Sequence, residues 1–238
     1  MKKTTDLRFL LLITPALGLF GLGLRMWLYS LKDAGGLLPA GHISSILTAA
    51  LTVAVLLILI ACIRRFPRDG GYAHRFPRSI LGGLGCIAAA AGICVFALAE
   101  SVTVADVIAK LCLYLGIAAA LALLVCAIFR FRGKTPPFLA YMAVCVYLML
   151  HAVSQCRTWG AQSQVITYCF QLLASVCLML FAYHRTAAII DKADYRWLLF
   201  TQLASVYFCV VSLNTENGIF YLTLGLWSLL DGCALQEK

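Results

Sequence analysis

The sequence predicts an all-α polytopic membrane bundle of about eight transmembrane helices, a single domain over residues 1–238 with both termini cytoplasmic. Three observations carry that reading. The 238 residues are 63% hydrophobic and 12% charged, with a mean hydropathy of +0.93, far too apolar for a soluble domain of this length. Apolar runs of roughly twenty residues, the length that spans a hydrocarbon core, recur along the chain between short polar segments. Basic residues then alternate from segment to segment: 15 of the 19 Lys and Arg fall on one side and four on the other. Short Arg- and Lys-rich loops stay in the cytoplasm, so the net charge of +9 reflects orientation in a bilayer. No nucleic-acid partner is expected, and the lipid of a bacterial cytoplasmic membrane is the expected surround.

The first helix is expected over residues 9–30. Its basic start resembles the charged region of a signal peptide, but the apolar run is long and no small-x-small cleavage pattern follows, so it reads as a retained span. Arg25 falls in its outer part, where it must snorkel or find a carboxylate, with Glu100 and Asp106 the expected partners. The second helix is expected over residues 43–63. Next comes IRRFPRDGGYAHRFPRSI, two Arg-Phe-Pro-Arg copies around an Asp-Gly-Gly turn. Five arginines cannot sit in hydrocarbon, and each Pro ends or begins a helix. This loop therefore fixes the orientation, with Arg65, Phe66, Arg68, Arg75, Phe76 and Arg78 expected to meet anionic lipid or a cytoplasmic partner.

A third helix over residues 80–99 is rich in small residues. Gly85 with Ala89, and Ala88 with Gly92, form small-xxx-small pairs that let another helix approach, within the chain rather than between chains. Thr103-Val-Ala-Asp106 fits a capping box for a fourth helix over residues 104–129. Arg130, Arg132 and Lys134 read as its cytoplasmic exit. Pro136 and Pro137 start a fifth helix over residues 137–155, and a sixth is expected over residues 164–184, ending at a loop with Arg185, Lys192 and Arg196. The seventh spans residues 197–213. The eighth, residues 219–235, is expected to be interrupted by Asp231.

Chemistry-bearing motifs are sparse. Nine of the eleven cysteines fall in apolar runs, where they act as small apolar fillers, and neither a Cys-x-x-Cys nor a His spacing implies a metal site. No phosphate-binding glycine loop, Gly-x-Ser-x-Gly or His-Glu-x-x-His occurs, so no catalytic residue and no cofactor is assigned, and an enzyme is the less favoured class. Polar stripes do stand out. Asp106, Lys110 and Tyr114 recur every four residues on the fourth helix; Tyr147, His151 and Gln155 do so on the fifth. On the sixth, Gln164, Thr167, Tyr168, Gln171 and Ser175 share one face. Polar groups in hydrocarbon are costly unless partnered, so these stripes should face protein or water. The expectation is one outward-facing pocket lined by Lys110, Tyr114, His151, Gln155, Tyr168 and Gln171, suited to a small anionic or zwitterionic solute; ordinary interhelical hydrogen bonding is the competing use. Two function classes follow: a small-solute or ion carrier or the membrane subunit of one, and a non-catalytic sensor, scaffold or docking subunit acting through the Arg-rich loop.

Overall fold

The computed structural model describes residues 2–31, 42–66, 78–103, 107–159 and 168–234. They form eight helices and, among the described residues, no strand: α1 (Lys2–Ser30), α2 (Ile43–Ile63), α3 (Ile80–Thr103), α4 (Val107–Phe131), α5 (Phe138–Trp159), α6 (Cys169–Ile189), α7 (Tyr195–Val211) and α8 (Gly218–Ala234). The first six are long and apolar enough to cross a membrane. At 17 residues each, α7 and α8 are shorter, roughly 26 Å along the axis and at the lower limit for a span. The chain is thus a helical membrane bundle.

Local chemistry sets several helix ends. Asp194 caps α7 by accepting the Arg196 backbone N–H at 2.9 Å, and Ser79 Oγ accepts from Gly82 N at 3.1 Å at the start of α3. Beyond α4 the chain turns through Gly133, φ +67°, with Lys134 N–H on Phe129 O and Gly133 N–H on Arg130 O. Those two bonds satisfy carbonyls the helix end would otherwise leave open. The α3 helix is described as far as Thr103; residues 104–106 of the expected capping box lie outside the described residues, as do 164–167.

Helices α3 to α8 pack in sequence, and α8 returns against α3, so the six close into a ring. The pair α1 and α2 lies outside it, chiefly against α7. That position buries α7 on nearly every side. Small residues make the closing contact: Gly85 lies against Trp227 and Leu230, and Gly92 against Thr223. The small face of α3 therefore serves packing inside the chain, as the spacing implied. Large apolar side chains such as Leu12, Phe20, Leu57, Val95, Leu121 and Met149 are exposed on the outside, the surface a bilayer would cover.

Arg25 is buried at 3% exposure. Its Nη1 donates to Val211 O at 3.0 Å and Nη2 to Tyr29 Oη at 3.0 Å, with the guanidinium over the Phe170 ring. A cation at the last carbonyls of α7 is favourable there, and so buried a head does not snorkel. Asp106 and the Glu100 side chain lie outside what is described.

Candidate functional site

Two polar levels occupy the ring, one near each end. The first is built from the stripes of α5 and α6. His151 and Gln155, one turn apart on α5, and Gln171 and Ser175, one turn apart on α6, are all buried. From α8, Tyr221 joins them, its hydroxyl donating to Gln155 Oε1 at 3.1 Å and lying 3.2 Å from Ser175 Oγ. The imidazole of His151 sits among Phe96, Phe220 and Tyr147, with ring centroids 5.0, 4.8 and 6.0 Å away. Neither of its nitrogens has a hydrogen-bond partner among the described residues, nor do Gln155 Nε2 and Gln171 Oε1. Buried polar atoms are nearly always satisfied, so four such atoms at one level of the bundle mark a place where a further polar group would be stabilised.

The six expected pocket residues divide. His151, Gln155 and Gln171 enter the ring, and Tyr168, at the start of α6, is half-buried at its rim. Lys110 and Tyr114 do not converge with them. Both are exposed, Tyr114 at 69%. The reason is rotational: the inward face of α4 carries Cys112, Gly116, Ala119, Leu123 and Cys126. A side chain at Gly116 would stand 2.8 Å from Ala97 and 3.1 Å from Tyr147, so that face is pinned against α3 and α5. Two residues from Gly116, Tyr114 lies about 200° around the helix and points outward. Spacing alone shows which residues share a face, and it does not show which way the face turns.

At the other level, three charged residues expected at loops or at a helix break meet inside the ring. Arg130 of α4 and Arg185 of α6 both pair with the Asp231 carboxylate of α8, Arg130 through Oδ1 and Arg185 through Oδ2. Their exposures are 1%, 0% and 1%. This corrects three readings: Arg130 is not a cytoplasmic exit, Arg185 is not in a loop, and Asp231 does not interrupt α8. Ionised groups leave water only at a large penalty unless paired, and pairing with two arginines lets α8 continue through Asp231. Gly82 on α3 gives the Arg130 guanidinium room, since a Cβ there would stand 3.2 Å from its Nε and Nη2. The guanidinium of Arg185 lies over Phe181, Phe181 packs edge-on against Trp227, and Trp227 stacks on Tyr141. Tyr141 Oη and Trp227 Nε1 are buried beside the Cys86 thiol, and the Cys126 thiol also lies near Tyr141 Oη. A legible signal existed: one carboxylate in an apolar helix, with two arginines near the ends of helices that finish on the same side.

Of the Arg-Phe-Pro-Arg loop, Arg65 and Arg78 are exposed. Phe66 corrects the expectation of a headgroup contact: it is 7% exposed and packs against Tyr195, because burying a phenyl ring in the bundle outweighs leaving it at an interface. Arg68, Arg75 and Phe76 lie outside the described residues. No group of three His, Cys, Asp or Glu able to hold a metal occurs among the described residues. No protein-family model matches the chain, and neither does any curated protein or solved structure compared with it.

Proposed function

We propose that the protein is a membrane carrier, or the membrane subunit of one, for a small anionic or zwitterionic solute whose path lies inside the ring of α3 to α8. The observation that carries this reading is where the buried polar groups lie. His151, Gln155 and Gln171 occupy one level, where both imidazole nitrogens and two amide atoms have no hydrogen-bond partner among the described residues, and Arg130, Arg185, Asp231, Tyr141 and Trp227 occupy the other. Guanidinium, phenol and indole are donors, and a donor-rich enclosure favours carboxylate or phosphate oxygens. Asp231 would act as the resident counter-ion with which an incoming anion competes. At the far level the imidazole and amides offer both donors and acceptors, which suits a zwitterion.

The experiment is a panel of small carboxylates, phosphates and amino acids tested for thermal stabilisation of the purified protein and for flux into proteoliposomes. We expect at least one to act, and His151→Ala to weaken its binding roughly three- to ten-fold, the worth of a lost hydrogen bond. Lys110→Ala and Tyr114→Ala, on the outer surface, should leave it unchanged. If no member of the panel acts, and His151→Leu raises the melting temperature, the polar level is packing and the carrier reading fails. The docking alternative draws on the exposed Arg64, Arg65 and Arg78; a cytoplasmic partner that co-purifies and is lost on their removal would favour it.

A further inference from the structure

A cavity of about 360 Å³ opens outside the ring, where the end of α2 meets the start of α7. Ile60, Ile63 and Arg64 form one wall, and Arg196, Trp197 and Phe200 the other, with Asp194 at the rim. We propose that it binds one anionic phospholipid of the leaflet on that side, the phosphodiester between Arg64 and Arg196 and an acyl chain along Ile60, Ile63 and Phe200.

The layout of the walls has the polarity of a lipid. From Ile60 to Arg64 is one helical turn, about 6 Å, over which the lining passes from hydrocarbon to guanidinium. Two cations face one carboxylate, and that carboxylate is engaged as the cap of α7, accepting the Arg196 N–H at the positive end of a helix dipole. The lining therefore keeps a net positive charge, complementary to a phosphodiester. Arg196 is held in place, its Nε donating to Phe66 O at 2.6 Å, so its remaining nitrogens are aimed before any ligand arrives. Trp197 is 56% exposed beside them, an indole where tryptophan concentrates at membrane interfaces. A free inorganic anion would leave the apolar walls unexplained. This site is separate from the ring and does not depend on the carrier reading.

The test measures thermal melting of the 238-residue chain in detergent with added phosphatidylglycerol, phosphatidylcholine or inorganic phosphate. Phosphatidylglycerol should stabilise more than phosphatidylcholine, and phosphate should not stabilise. Arg64→Gln should weaken the apparent phosphatidylglycerol affinity roughly five-fold, the effect of one interfacial arginine. Arg132→Gln, an exposed arginine at the same end, should leave it unchanged. Since Arg196→Gln would also remove the bond to Phe66, the second variant is Ile60→Trp. It fills the apolar wall and should lower lipid affinity without altering melting in the absence of lipid. Equal stabilisation by the two lipids overturns the proposal. So does stabilisation by phosphate alone, an equal loss in Arg132→Gln, or undiminished affinity in both Arg64→Gln and Ile60→Trp.

Discussion

Asp231 is the residue on which the inner level turns, because one carboxylate serves two guanidiniums from different helices. Removing either arginine leaves a buried pair intact, whereas removing the carboxylate sets two buried cations against each other. Breaking a buried pair from one side costs about 3–5 kcal/mol. Asp231→Asn is therefore expected to melt lower, and express less, than either Arg130→Gln or Arg185→Gln. Melting curves of the three variants in one detergent check the order, and an Asp231→Asn no worse than the single arginine variants would show the triad to be loosely coupled. The same residues mark a limit of sequence reading. Asp231 lies 101 residues from Arg130 and 46 from Arg185, and no local pattern links positions so far apart. Periodicity did bring out His151, Gln155 and Gln171, since all three share stripes that turned inward; Tyr114 shared a stripe that turned out.

Among the elements, α3 depends most on the absence of side chains. A methyl group at Gly92 would overlap Thr223 Oγ1 on α8, whereas one at Gly23 on α1 would meet nothing within 4 Å. Gly92→Ala is expected to cost about 1–3 kcal/mol by overpacking, and Gly23→Ala to be neutral or to gain up to about 1 kcal/mol from helix propensity. Unfolding in mixed micelles would compare them, and similar values for the two would mean that α3 can slide away from α8 at little cost. Helix positions were the most readable part of the fold, because hydrophobic runs of membrane length have few alternative uses. The bounds of α2 match the expected residues 43–63. Ends were read less well where polar residues continue a helix beyond the hydrocarbon: α1 is helical from Lys2 and α5 reaches Trp159, past the apolar limits that sequence can mark.

The whole molecule has a basic end and an opposite end, and orientation in the bilayer is the property that most needs measurement. Cys156, near the end of α5, is the exposed one of the eleven cysteines, and charge bias puts it outside. An impermeant maleimide applied to intact cells should label the wild-type chain and fail on Cys156→Ser. Lys134→Cys in that Cys156→Ser background, at the turn between α4 and α5, should react only after the cells are permeabilised. Labelling of position 134 in intact cells would invert the bundle.

Ring closure also has a consequence for the order of events at the ribosome. The wall that finally covers the glycine face of α3 is α8, and α7, the platform for α1 and α2, precedes it in the chain. Until α7 has left the exit tunnel, α1 and α2 lack their principal packing surface. Until α8 has followed, α3 exposes its glycine face and Arg130 and Arg185 lack the Asp231 carboxylate. A nascent chain stalled before α8 would present charged, loosely packed helices to the insertion machinery and to membrane proteases. Closure of the ring therefore waits until α8 has been made, and truncations that lack α8 are expected to be short-lived in the cell.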